Sequence, residues 1–328
     1  MKKGIAFAGT LLVDKLLCID TWPQPGTYTK INSETQSMGG LVSNCAIDLA
    51  KLDSTMPVKA LGYLGEDEFG AYALAELAKY PSIDTSHIWR EQTTAYTLVM
   101  TTNNGERTFI GDPGDATYFA PSHFDFDQLE CDILHIGYLL ILGDLDEPDA
   151  DYPTGLCRVL ADAKAHGIAT SIDVVSAASV RFASVVVPAL AYTDYCIVNE
   201  IEAGHCTEML LRDADGQLLM DNFEPCLKRL AELGVGRWIV IHTPEMAMGY
   251  DVLTQTLHTE AVKPAPVVVS AVGAGDAFAT TILYGAYNAW PLAKAMQAAV
   301  IVAAYSLASS DASGAIEPFA TIMASQTN

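Results

Sequence analysis

Basic residues are scarce: 18 lysines and arginines stand against 40 aspartates and glutamates, a formal net charge of −22. A nucleic-acid backbone needs concentrated Lys and Arg, so this deficit argues against nucleic acid as a partner. The same acidic surface repels anionic lipid, and no membrane partner is expected. Paired cysteines are missing too. The seven at 18, 45, 131, 157, 196, 206 and 226 form no CxxC pair and no His/Cys spacing. That pattern fits reduced thiols in a cytoplasmic protein better than disulfides or a metal site. No uninterrupted apolar run reaches transmembrane length, because Asp276 and Lys294 break the longest one, 271–304. The apolar start after Lys3 ends at Asp14 and Lys15, so a first β-strand explains it better than a signal peptide. Internal repeats and low-complexity linkers are absent.

What is present is a large apolar inventory, half of 328 residues, enough for one large α/β domain with an appendage or for two domains. A short apolar strand covers 4–9, and a polar alternating run covers 27–38. Helical spacing of Val42, Cys45, Ala46 and Leu49 follows two glycines, then a strand at 58–64 and a helix at 69–77. Runs 94–102 and 106–110 flank Asn103-Asn104-Gly105 and read as a hairpin. With the early polar strands it would form a small sheet outside the main core. From Ile133 onward strands (133–136, 168–174, 195–198, 238–242) alternate with helices ending near 166, 190 and 233. That rhythm predicts a parallel sheet covered on both faces, closed by two helices at 274–287 and 292–308. Ligands of such sheets bind where strand carboxyl ends meet helix starts, and Gly9, Gly39, Asn199 and Gly273 fall at such places.

The most informative stretch is Ser270-Ala271-Val272-Gly273-Ala274-Gly275-Asp276-Ala277-Phe278. Gly273, Ala274 and Gly275 bring backbone N–H groups to a helix start with almost no side-chain bulk, and outward amides plus the helix dipole make an anion site. Asp276, in the first turn, is positioned to take a proton from a nucleophile approaching that anion. An anion cradle beside a base is the minimum equipment for phosphoryl transfer to a hydroxyl.

This segment resembles the C-terminal signature of the PfkB carbohydrate kinases, the ribokinase-like family. Gly39-Gly40 with Asn44-Cys45-Ala46 resembles the family's N-terminal Gly-Gly element. Further matches follow in order: Gly9 to Asp14, Gly62-Tyr63-Leu64-Gly65-Glu66-Asp67, Gly105-Glu106-Arg107 and Asn199-Glu200-Ile201-Glu202. The resemblance runs from about residue 4 to 316. It implies a single ribokinase-like α/β domain over 1–328, a doubly wound, mostly parallel sheet with helices on both faces. A small β-sheet lid, from about 12–38 and 94–112, would be inserted in it.

The resemblance also implies roles. Asp276 would be the general base, with Gly273, Ala274 and Gly275 donating backbone N–H groups to the moving phosphoryl group. Asp14, Gly39, Gly40 and Asn44 would meet a sugar's hydroxyls, Asn44 being a helix cap in the alternative reading. Arg107 would reach over the site or else be a solvated strand residue. Asn199 and Glu202 would organise phosphate and Mg²⁺, Glu202 through water, and His242 would border the nucleotide. The implied cosubstrate is ATP, with a sugar or nucleoside as acceptor. An exposed edge of the small sheet needs a partner or cover, so a homodimer paired through the lid edge is expected. An acidic chain that binds ATP must focus positive potential locally, through amides, Mg²⁺ and a few cations.

Several positions depart from the family pattern. Ser270 stands where many relatives carry an acid that helps hold a monovalent cation, which leaves K⁺ activation open. Thr280-Thr281 replace a small pair, and His242-Thr243-Pro244-Glu245 replaces the usual turn near the nucleotide. Leu41 and Gly137-Tyr138 stand where ribokinase proper carries a Lys and a Glu, which points away from ribose. The reading is a kinase of a primary hydroxyl on a sugar or sugar-like molecule. One rival is a nucleoside kinase, with Tyr96, Phe109, Tyr118 or Phe119 stacking on a base; another is a non-catalytic nucleotide or sugar sensor. His135, in an apolar strand, reads as a core histidine, and Tyr138 as a ligand contact.

Overall fold

In the computed structural model, which describes residues 3–104, 106–175, 181–263, 265 and 267–325, the strands order themselves about one crossover. The first strand, Ile5–Gly9, is fully buried and pairs in parallel with Val58–Gly65 on one side and Ile133–Leu139 on the other. Beyond Val58–Gly65 lie Ile83–Asp84 and Ile88–Glu91. In the other direction come Ala169–Val174, Tyr195–Asn199 and Trp238–His242, all parallel. The chain thus reverses its direction of winding between Ile5–Gly9 and Ile133–Leu139. In sheets of this type ligands bind at that reversal, outside the carboxyl ends of the strands.

Two apolar clusters cover the faces. One joins Ile5, Phe7 and Val58 to the helices Leu41–Leu52, Ala274–Tyr287 and Leu292–Ser306. The other joins Ala6, Leu134 and Ile136 to Gly155–Ala165, Glu200–Thr207 and Phe223–Glu232. Alternate residues of one strand therefore feed opposite layers, as a two-residue side-chain period requires. His135 belongs to this core: it is fully buried, packs edge-on against Phe7, and its Nδ1 is 2.9 Å from Ser171 Oγ. Burial pushes its pKa down to about 3, so the ring is neutral.

A second, four-stranded sheet has the order Ile31–Gly39, Leu12–Ile19, Ala95–Thr102, Arg107–Asp112. Its last two strands pair antiparallel, as the alternating runs predict, while Gly105 in the turn lies outside the described residues. The main sheet carries an edge that the periodicity left unread, the antiparallel pair Met246–Asp251 and Thr256–Ala261. Its turn uses Gln255 at φ 57° rather than a Gly or Asn, so the usual hairpin signal is absent. The helix expected up to 190 is a π-helical turn, Phe182–Val186, running into Val187–Leu190; its expected start falls partly at 176–180, outside the described residues. Among the described residues no helix is long and apolar enough to cross a membrane.

Candidate active site

The glycine-rich stretch lies where the sequence predicts a helix start. Gly273 caps the helix Ala274–Tyr287 at φ 79°, a left-handed conformation that favours glycine. A Cβ there would sit 2.5 Å from Ala312 Cβ. At Gly275 a Cβ would meet only His242 Cε1, at 3.7 Å. Among the described residues the amides of Gly275 and Asp276 have no backbone or side-chain acceptor. Two unpaired N–H groups at the positive end of a buried helix, facing open space, are suited to a phosphate.

Asp276 is buried, and one of its oxygens is fully engaged. Asn44 Nδ2 donates to Oδ2 at 2.7 Å, and the Tyr138 hydroxyl donates to the same oxygen at 3.0 Å. Burial raises the carboxyl from 3.8 to about 6, against the lowering effect of those two donors. Near neutral pH it is a carboxylate of appreciable basicity, as a general base needs. Asn44 is not a helix cap. Gly40 caps Leu41–Leu52 at φ 84°, and Asn44, 4% exposed, reaches across to the Asp276 helix.

Tyr138 is held at φ 63°, a left-handed conformation costing a bulky residue roughly 1–3 kcal/mol. It stands at the carboxyl end of Ile133–Leu139, at the reversal of the sheet. Its neighbour Gly137 allows close packing there: a Cβ would lie within van der Waals overlap of Leu41 Cδ1.

Two contiguous cavities open at the motif. One of about 210 Å³ is lined by Tyr138, Asp173, Glu202, His242, Gly273, Gly275 and Asp276 among others. The second, about 360 Å³ and largely apolar, is lined by Asn199, His242, Pro244, Ala274, Gly275 and Phe278 among others. His242 and Gly275 border both. Burial lowers the His242 pKa to about 4, so it presents a neutral ring, 5.0 Å from that of Phe278. Arg212 ties the outer wall together by donating to both Glu200 and Glu245. Glu200 is thus a structural acid.

Asn199 caps the helix Glu200–Thr207, and its side chain donates to Glu202 Oε1 at 2.7 Å while Glu202 Oε2 accepts the Asn199 backbone N–H at 3.0 Å. The pair is therefore a capping box that also borders the cavities. Asp173, at the end of Ala169–Val174, is the acidic residue that sequence reasoning missed. Burial pushes its carboxyl well up, and the charges of Glu202 and Asp276 push it further.

Asp14, Gly39, Gly40 and Arg107 line neither cavity; they belong to the small sheet and its junction with Leu41–Leu52. A Cβ on Gly39 would collide with Asp14 Oδ2, so backbone and carboxylate are in contact. Burial raises Asp14 to about 6. By strand register Asp14 shares a face with Leu16, Thr97, Phe109 and Arg107. Arg107 Nη1 donates to Ser270 Oγ at 2.9 Å, bridging the small sheet to the glycine-rich segment. Of the aromatics considered for stacking, Phe119 is buried against Tyr63 and Phe124, and Tyr96 packs on Phe69. Phe109 and Tyr118 are exposed.

The fold is that of the ribokinase-like α/β kinases. Over 99% of its length the chain is similar to the ribokinase of Arabidopsis thaliana, solved with ribose and ATP, at TM-score 0.82 and 18% identity over 98% of that chain. It is similar over 98% of its length to the nucleoside kinase of Burkholderia thailandensis, solved with inosine, at TM-score 0.74 and 16% identity over 95% of that chain. A curated relative, the 5-dehydro-2-deoxygluconokinase of Geobacillus kaustophilus (strain HTA426), is 26% identical over 295 residues, 88% of this chain and 84% of that one. The chain belongs to the pfkB family of carbohydrate kinases, whose profile matches residues 11–318. It is a sugar kinase, a phosphotransferase.

Proposed function

We propose that this kinase moves the γ-phosphoryl group of ATP to a primary hydroxyl of a sugar or sugar-like acceptor, with Asp276 as general base. The observation that carries the reading is the juxtaposition of a buried carboxylate, its Oδ1 without a described partner, and two amides without acceptors on one helix turn. The adenosine of ATP occupies the apolar 360 Å³ cavity, and its phosphates run past His242 into the 210 Å³ cavity toward Gly275. Asp276 Oδ1 draws the proton from the acceptor hydroxyl as its oxygen attacks phosphorus in line. The amides of Gly275 and Asp276 stabilise charge gathering on the transferring group; the Ala274 N–H, expected to join them, donates instead to the Ala271 carbonyl at 3.3 Å.

Mg²⁺ fits the residues present. No described group of three or more His, Cys, Asp or Glu forms a protein cage, and Mg²⁺ prefers a few carboxylates with water and phosphate oxygens to such a cage. Asp173 and Glu202 would hold it, with Asn199 alongside. Bound there, Mg²⁺ would neutralise phosphate charge and relieve the repulsion that raises Asp173.

In this reading the chain is one domain, and the small sheet, 12–38 and 94–112, is its lid. The lid carries Asp14, Gly39 and Arg107 over the acceptor, with Asn44 and Gly40 beneath, and excludes water from the phosphoryl group. Its open edge strands favour a homodimer. Phe109, exposed on the face that Asp14 shares, supports a second reading in which the acceptor is a nucleoside.

The test is ADP release with Mg-ATP against pentoses, hexoses, sugar acids including 5-dehydro-2-deoxygluconate, and nucleosides. One strong acceptor is expected. Asp276→Asn is expected to lower its turnover by about two orders of magnitude or more while ATP still binds. Turnover within about threefold of the unmodified enzyme would remove Asp276 as the base.

A further inference from the structure

We infer that Tyr138 is the positioning residue of the base: its phenol, together with Asn44, holds Oδ2 of Asp276 so that Oδ1 alone meets the reacting hydroxyl. This rests on the phosphotransfer reading above and goes beyond it in assigning how the base is aimed. Asp276 projects from the first turn of its helix, where a short carboxylate can turn about its own axis. Two donors converging on one oxygen, at 2.7 and 3.0 Å, remove that freedom.

Tyr138 borders the smaller cavity, and its hydroxyl is placed for this. It comes from a strand 138 residues away in sequence from Asp276, and it reaches the carboxylate because its backbone is held left-handed at φ 63°. The turn that follows fixes that conformation. Leu140 is also left-handed, at φ 85°. Ile141 N–H donates to the Tyr138 carbonyl, and buried Asp146 accepts the Leu142 N–H at 2.7 Å. Strained backbone persists where its surroundings over-determine it, which is commonly at functional sites. Burial and the Asp276 charge keep the phenol protonated, a donor throughout the working range. A hydrogen bond to the ionised carboxylate also tempers its basicity.

Tyr138→Phe removes the hydroxyl and keeps the ring. Three readings are expected to change. The acid limb of kcat/KM against pH moves to higher pH by roughly half to one unit, because the ionised form of Asp276 loses a donor. With it, kcat falls about tenfold or more, since the base is no longer aimed. The Asp276 titration, followed by carboxyl carbon NMR with Asp276→Asn to assign the signal, moves upward by the same amount. That last readout does not depend on turnover, so it tests Tyr138 even if no acceptor is found. A melting temperature close to that of the unmodified enzyme would show that the variant folds. An Asp276 titration unmoved by Tyr138→Phe would overturn the inference while leaving phosphotransfer intact, as would a loss confined to the KM of the acceptor. Absence of transfer to every acceptor, with the titration shifted, would overturn only the phosphotransfer reading.

Discussion

At the scale of the residue, the site stores a conflict between stability and chemistry. Asp276 is buried with a carboxyl pKa near 6 against 3.8 for an exposed aspartate, so the folded protein binds its proton more tightly than the unfolded chain does. The sign follows from linkage. The extra stability of the protonated form is fully present below about pH 4 and is lost as pH rises through about 6. At pH 7 the ionised group therefore costs the fold roughly 2–3 kcal/mol. Asp276→Asn, which removes the charge, is expected to raise unfolding stability by about that amount at pH 7.5, with the gain fading below about pH 4. Denaturant unfolding of both proteins across that range checks it; a variant equally or less stable at neutral pH would mean that the carboxylate is not strained by its burial. Asp276 itself was legible in the sequence, because its place after a glycine pair is local. Tyr138 read only as a ligand contact, and Asp173 was not read at all. Their positions depend on which strand ends the sheet brings beside one helix, and no local pattern encodes that.

At the scale of the element, the two glycines of the motif carry different burdens that composition alone cannot separate. Gly273 caps its helix with a left-handed backbone pressed against Ala312, whereas Gly275 faces open cavity. Gly273→Ala is expected to lose roughly 1–3 kcal/mol of stability from strain and overlap. Gly275→Ala is expected to melt close to the unmodified protein and yet to weaken Mg-ATP binding or turnover about tenfold or more, since its methyl group enters the space assigned to phosphate. Thermal unfolding beside steady-state kinetics separates the two, and a Gly275→Ala enzyme of full activity would take the phosphates away from this turn. The same contrast explains which elements were readable. The helices at 42–52 and 274–287 announce themselves by apolar spacing after paired or near-paired glycines. The hairpin from Met246–Asp251 to Thr256–Ala261 turns on Gln255, and nothing in that residue type signals φ 57°.

At the scale of the whole molecule, the crossover between Ile5–Gly9 and Ile133–Leu139 gathers the candidate site, and among the described residues the small sheet is left with two unpaired edges. One edge strand, Ile31–Gly39, is exposed along most of its length; the other, Arg107–Asp112, exposes Phe109 and Ile110. Exposed edges of this kind pair with another chain unless charge, proline or a covering element blocks them. Arg107 already commits its guanidinium inward to Ser270, and among the described residues Ile110, which register puts on the face opposite Asp14, stays exposed. Two copies joined through these edges would stiffen the lid that each contributes to its own site. A dimer is therefore expected by light scattering at micromolar concentration. Ile110→Lys, which adds an edge charge away from the acceptor face, is expected to shift the protein toward monomer and to raise the acceptor KM while leaving ATP binding unchanged. An unmodified protein that scatters as a monomer at every concentration would end the dimer proposal, and the lid would then have to close on its acceptor through the Arg107–Ser270 bridge alone.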